Sequence, residues 1–257
     1  MTEPGDAGDG LCRYLDWDSN FFQRRIARLL PTRLEPGMLA QALDWCRSQN
    51  IDCLYFLASG DHPASLRLAC QHGFILMDTR LTLEGTLPNG GLAAEPYQGD
   101  ILVRPWMPGD VPVLSDIAAQ SFTRTRFHND PAFTREQATA LYRTWIEVSC
   151  QGYADRVLVA VDLTAPAGFI SLIFDPTQQH GTIALLGVAA AHRQQGVGRQ
   201  LVNAGLEWLV AQGARRVSVV TAGANPAALR LYQRSGFFIT SMEYWFHKWF
   251  LDGAEAA

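Results

Sequence analysis

No stretch of this 257-residue chain approaches the length of a transmembrane helix, and its start, Met1 to Asp6, lacks the basic and apolar regions of a signal peptide. The expectation is a cytoplasmic protein with no membrane partner. There is no Lys/Arg-rich run and the formal net charge is −4, which argues against a nucleic-acid partner held by phosphate neutralisation. The five cysteines, Cys12, Cys46, Cys53, Cys70 and Cys150, are odd in number and include no Cys-x-x-Cys pair. Free buried thiols are therefore expected, and no metal site. What remains is an ordinary globular composition, 48% hydrophobic and 18% charged, long enough for one large domain or two small ones.

The stretch around which the chain is organised runs from Thr182 to Leu201. Thr182 to Val188 is an apolar run of strand length, and Leu201, Val202, Leu206 and Leu209 recur at helical spacing after it. Between them, Arg193-x-x-Gly196-x-Gly198 places two glycines where a Cβ would hold the backbone away from a ligand. A loop feeding a helix N-terminus suits a phosphate or pyrophosphate. The loop is not a Walker loop, because no Gly-Lys-Ser/Thr follows, and it lacks the third glycine of the dinucleotide fingerprint. A tight turn with no ligand is the plain alternative.

Along the chain, helical spacing is read at 36–48, 63–72, 111–122 and 134–150, the last with Thr134 as N-cap and Gln137 three residues on. Strands are read at 24–30, 52–57, 74–83, 101–105, 182–188, 215–221 and 238–250, with a hairpin of 156–163 and 168–174. Residues 1–10 and 251–257 read as tails, and 87–99 as a linker. The segment 123–133 is polar and aromatic. An internal repeat underlies the first part of the chain: sliding 42–74 onto 205–237 gives eleven identities in 33 ungapped positions. In that register His62 meets Asn225 and Ala69 meets Tyr232, and no Gly-x-Gly loop precedes the first copy.

Leu186-x-Val188, Ala190, His192-Arg193 and Gly196-x-Gly198 ahead of an amphipathic helix resemble the acetyl-CoA loop of the GNAT acetyltransferases. Asn225-Pro226-Ala227-Ala228-Leu229-Arg230-Leu231-Tyr232, ending in Gly236-Phe237, resembles a second family segment. Ala190 stands where many members have proline. The resemblance implies an α/β (α+β) GNAT fold with a central mixed, largely antiparallel sheet flanked by helices, over residues 100–250. The repeat makes 11–86 a degenerate half-GNAT domain before it. The resemblance also implies acetyl-CoA as co-substrate, held by Leu186, Gly187 and Val188, by Arg193, Gln194, Gln195, Gly196, Val197, Gly198 and Arg199, and by Asn225 and Tyr232. A capping role for Asn225 and a surface role for Arg193 are equally open.

Acetyl transfer to an amine needs a neutral amine, donors for the oxyanion and a proton or hydrogen bond for the thiolate. Tyr232 is the candidate acid, since a phenol is protonated at neutral pH; a core aromatic is its plain alternative. Many members use a glutamate on the strand before the loop, but 182–188 contains none. His128, in the polar segment with Asp130, is the candidate base. Leu15 to Phe22, Ser121 to Pro131, Leu141 to Ile146 and Glu243 to Trp245 further resemble the dTDP-fucosamine N-acetyltransferases. That likeness implies a nucleotide amino sugar as the small-molecule partner, with Arg124, Arg126, Phe127 and His128 on the substrate side. A protein or peptide amine, and a non-catalytic acetyl-CoA-binding module, are the rival readings. The aromatic run Tyr244-Trp245-Phe246 reads as an edge on which a second copy could pair as a homodimer.

Overall fold

The computed structural model describes residues 10–87, 101–163 and 165–250. The expected tails, apart from residue 10, and the expected linker from residue 88 lie outside the described residues. In chain order the elements are β1 (Cys12–Tyr14), α1 (Asp16–Phe22), β2 (Ile26–Leu29), α2 (Pro36–Ser48), β3 (Cys53–Ser59), α3 (Pro63–Gln71) and β4 (Ile75–Thr86). There follow β5 (Leu102–Pro105), α4 (Val111–Ser121), α5 (Arg126–Asn129), α6 (Arg135–Val148), β6 (Arg156–Asp162), β7 (Ala165–Asp175) and β8 (His180–Val188). The chain ends with α7 (Val197–Ala211), β9 (Arg216–Ala222), α8 (Pro226–Arg234) and β10 (Phe238–Trp249). Among the described residues no helix is long and apolar enough to cross a membrane.

These elements form two compact units. One takes in the chain up to Arg80 with 125–133 and 241 onward; the other takes in 81–124 and 134–240. In the first unit β1–β2 is antiparallel, β2–β3 is parallel across the α2 crossover, and β3–β10 is antiparallel. Alternation then sorts the side chains. Ala27, Leu29, Leu54, Phe56, Ala58 and Phe246 share one face and pack on Leu39, Leu43 and Cys46 of α2 and Ala69 of α3. The opposite face carries Arg28, Tyr55, Trp245 and His247.

The pairing corrects one expectation. Glu243 to Trp249 pair residue by residue with Ser59 to Cys53, so Tyr244-Trp245-Phe246 is not an unpaired edge open to a second copy. The partner strand lies far away in sequence, where hydrophobic alternation carries no information about it. The sequence also gave no sign of α1, whose end is a left-handed Gln23.

In the second unit β5, β6, β7 and β8 are successively antiparallel and β9 adds to β8 in parallel, making a mixed sheet. Leu201, Val202, Leu206 and Leu209 of α7 are buried against Leu158, Ile170, Leu172, Ile183 and Val217. Thr134 caps α6: its hydroxyl accepts the Gln137 amide at 3.1 Å while the Gln137 side chain accepts the Thr134 amide at 2.9 Å.

The repeat reappears as structure. β3, α3 and β4 begin and end at residues that a shift of 163 carries onto the first and last residues of β9, α8 and β10. The glycine after each helix, Gly73 and Gly236, has a left-handed φ, of 74° and 84°.

Close packing at the centre of the second unit is testable at Gly168 on β7. A Cβ there would lie 2.8 Å from the Gly187 carbonyl oxygen and 3.1 Å from Leu201. Gly168→Ala is expected to cost about 1–3 kcal/mol, read as a lowered denaturant midpoint at constant m. An unchanged midpoint would contradict the packing.

Candidate active site

The site in the second unit is built by one irregularity in β8. Ser171 pairs with Leu185 but Leu172 pairs with Ile183, so Ala184 is the extra residue of a β-bulge. Because side chains alternate, one extra residue inverts every position beyond it. Ile183 faces the α7 core; past the bulge Leu186 and Val188 take that face. Gly187 is turned the other way, where a Cβ would meet Phe169 at 2.7 Å and Ile117 of α4 at 3.2 Å.

The parallel register of β8 with β9 also stops here. It runs from His180–Arg216 to Ile183–Val219, while both strands continue to Val188 and Ala222. The backbone donors and acceptors of Ala184 to Val188 that are not directed to β7 therefore face the side from which β9 has parted. Such groups need partners, and an extended amide-bearing chain can supply them.

Past Val188 the backbone turns through a short 3₁₀ segment, Ala190–His192, and two left-handed residues, Gln194 at φ 63° and Gly196 at φ 84°. Gly196 is the N-cap of α7 and offers no side-chain cap to the first amides of that 15-residue helix. Those amides and the positive end of the helix could hold an anion. Val197 is buried, which anchors the helix start. Gly198 has a packing role that the motif did not disclose: a Cβ would lie 3.2 Å from Leu231 of α8, so glycine there lets the two helices approach.

Several loop side chains have structural partners. Arg193 donates to the carbonyls of Val188 at 3.1 Å and Gln120 at 3.0 Å, bracing the loop. Gln195 donates to the Ala191 carbonyl at 2.9 Å. His192 lies 3.0 Å from Asp162. Asn225 is the N-cap of α8, its Oδ1 accepting the Ala228 amide at 3.1 Å. Tyr232 on the same helix is buried, with its ring 5.7 Å from that of Phe237. Burial pushes its phenol above the ordinary value, so it is protonated at neutral pH.

Arg126, Phe127 and His128 belong to the first unit and Arg124 to the second. Phe127 is buried and stacked with Phe22 at 5.3 Å. His128 Nδ1 meets the Thr125 hydroxyl at 2.9 Å. Asp130 is buried and fully engaged: it takes the Ala132 amide at 2.9 Å, the Trp249 indole N–H at 2.9 Å and His247 Nδ1 at 2.6 Å. Burial disfavours its charged form, but those donors outweigh burial and hold the carboxyl below its usual value. His247 is likewise buried, and desolvation drives its pKa down to about 4 against the pull of Asp130. Its ring is therefore neutral: Nδ1–H donates to Asp130, and Nε2 accepts from Arg126 Nη1 at 3.0 Å.

Two groups escaped the sequence reading. His247 lies in a run read only as aromatic strand, and Asp78 has a carboxyl raised by burial to about 6 beside the amides of Thr79 and Arg126. Their chemistry comes from burial, which no local pattern encodes. Among the described residues no group of three or more His, Cys, Asp or Glu is placed to hold a metal ion, and all five cysteines are free, with Cys70 exposed.

Residues 116–237 match the family model described as Acetyltransferase (GNAT) family. Similar proteins include a dTDP-fucosamine acetyltransferase of Escherichia coli O6:H1, 26% identical over 239 residues, covering 91% of this chain and 96% of that one. A mycothiol acetyltransferase of Amycolatopsis mediterranei is 26% identical over 236 residues, covering 87% of this chain and 75% of that one. A solved GCN5-related N-acetyltransferase from Sphaerobacter thermophilus superposes with a TM-score of 0.66 at 17% identity, covering 95% of this chain and 78% of that one; at that identity the likeness is one of fold.

The His247–Asp130 pair gives stability a defined pH dependence. An unfolded histidine titrates near 6.5 and His247 near 4. Between these values the unfolded chain holds a proton that the folded one lacks, so stability falls as pH falls, by roughly 2–4 kcal/mol at the limit. The depressed Asp130 carboxyl adds a loss in the same direction at lower pH. His247→Gln is expected to flatten the decline between pH 6.5 and 4 in denaturant melts. Equal slopes in the two proteins would contradict a neutral buried imidazole.

Proposed function

The chain carries a GNAT acetyltransferase domain, and on that premise we propose that it acetylates the primary amine of a nucleotide-linked 4-amino-4,6-dideoxy sugar. The observation that carries the acceptor class is the dTDP-fucosamine acetyltransferase, matched over nearly its whole length. GNAT proteins use acetyl-CoA, and the second unit fits it. The backbone of Leu186, Gly187 and Val188 would pair with the pantetheine amides. The loop from Arg193 to Arg199 would hold the pyrophosphate, with Arg193 bracing the loop through its carbonyl contacts.

Bound there, acetyl-CoA supplies an activated thioester carbonyl. Tyr232, kept protonated by burial, is the donor assigned to the thiolate as it leaves. Asn225 keeps the start of α8 in place by capping it, and so helps fix the helix from which Tyr232 projects. Arg124, Arg126 and His128 are assigned to the acceptor, with His128 as the proton acceptor of the amine; Phe127, expected beside them, is instead a core ring packed on Phe22 and Phe133. The first unit is a half-GNAT copy that does not bind acetyl-CoA: His62 and Ala69 stand where the second copy has Asn225 and Tyr232, and Ala69 is buried in the α3 core.

A second acceptor has its own support, because mycothiol acetyltransferases align at similar identity. Thiol release from acetyl-CoA distinguishes the readings, with dTDP-4-amino-4,6-dideoxygalactose, its gluco epimer, a mycothiol precursor amine and a peptide amine as acceptors. Turnover with one nucleotide sugar epimer is expected. Tyr232→Phe is expected to lower kcat by about 10²–10⁴-fold with acetyl-CoA affinity retained. Turnover confined to the precursor or the peptide would overturn the sugar reading. Acetyl-CoA binding without turnover on any amine would point to a binding module.

A further inference from the structure

The first unit has a feature that its α2–α3 core does not use and of which the acceptor assignment takes up only Arg126. On the sheet face opposite the α2–α3 core, one row of side chains crosses four strands. Arg13 of β1 stands opposite Arg28 of β2, Arg28 stands beside Tyr55 of β3, and Tyr55 is paired with His247 of β10. The Arg126 guanidinium lies over this row, 4.2 Å from the ring centroids of both Tyr55 and Trp245. Arg28 approaches the Trp245 ring at 5.1 Å. Arg80, paired with Glu243, completes the group.

This arrangement runs against the usual economy of a sheet. Like charges directly opposite one another in an antiparallel pair destabilise it, and Arg13 faces Arg28. Burial, and then the fields of Arg126, Arg80 and Arg13, bring Arg28 down to about 10 against the opposing Glu243. Two buried polar atoms, Arg28 Nε and Tyr55 Oη, have no hydrogen-bond partner among the described residues. Unsatisfied buried donors cost about 1–3 kcal/mol each. Arg126, by contrast, is held in place: His247 accepts its Nη1 donor, and Asp130 holds His247. A planar guanidinium fixed in this way gives up little entropy on binding an oxyanion.

We propose that Arg28, Arg80 and Arg126, with Tyr55, form a binding site in the first unit for the phosphate groups of a nucleoside diphosphate. Phosphate oxygens would accept from Arg28 Nε and from the Tyr55 hydroxyl and would neutralise the opposed cations. Asp130 and His247 act as positioning residues for Arg126. The inference rests on the nucleotide-sugar reading and names its anchoring contacts, which lie largely outside the 121–131 segment that the sequence singled out.

The same phosphate chemistry occurs in acetyl-CoA, so the test separates the sources. Isothermal titration of the full chain with dTDP, pyrophosphate and acetyl-CoA is expected to show dTDP and pyrophosphate competing with each other while acetyl-CoA binds alongside them. Arg28→Gln and Arg126→Gln are each expected to weaken dTDP and pyrophosphate about tenfold or more, leaving acetyl-CoA within about twofold. Glu243→Gln removes the carboxylate from the site and is expected to tighten pyrophosphate, a gain that misfolding cannot imitate. Three results would overturn the site: no dTDP or pyrophosphate binding by the wild-type chain, competition of both with acetyl-CoA, or affinities indifferent to all three substitutions. If nucleotide binds and responds to these variants while no nucleotide sugar is turned over, the site stands and the acceptor reading fails. If a nucleotide sugar is turned over but the variants leave dTDP affinity unchanged, the reverse holds.

Discussion

The second unit depends on the point at which the β8–β9 ladder ends. Up to Ile183–Val219 the two strands satisfy one another; beyond it they separate, and β8 presents main-chain donors and acceptors on the side that β9 has left. The bulge at Ala184 lies one residue past that point and inverts the alternation of β8. That inversion brings Leu186 and Val188 onto the α7 side and sets Gly187 against Phe169 and Ile117. Packing on both faces therefore locks the backbone in an open arrangement that would be costly if nothing completed it. The left-handed turn at Gln194 and Gly196 then delivers α7 with its first amides uncapped by any side chain.

The first unit applies the same repeat to another end. β3, α3 and β4 share bounds with β9, α8 and β10 under one shift, and the identities that persist are those the packing needs: the proline that opens each helix, the glycine that ends it and the phenylalanine that follows. At the positions of Asn225 and Tyr232 the first copy has a histidine bonded to Ser65 and a small buried alanine. No Gly-x-Gly loop precedes this copy; the unit instead gathers arginines, aromatic rings and a buried Asp130–His247 pair on the sheet face away from its α2–α3 core. Burying a carboxylate is tolerated there because three donors reach it, and its histidine partner stays neutral, so a single negative charge is desolvated instead of an ion pair.

The sequence by itself determined the local elements and the family: the strand, turn and helix around Gly196 and Gly198, the Thr134 capping box, the Asn225 cap and the internal repeat all have signatures within a few residues of where they act. These are short-range matters of propensity, capping and backbone freedom, and they survive without knowledge of the rest of the chain. Only the tertiary structure decided which strands meet and what burial does to the groups between them. It paired β10 with β3, ended the β8–β9 ladder at Ile183, and gave Gly198 a helix-packing role. It also made Asp130, read only as a member of a polar segment, a buried anchor for His247, and brought four arginines to one face of a sheet. The physical reason is the same in each case: pairing, desolvation and charge–charge fields act between residues distant in sequence, and hydrophobic periodicity carries no record of them.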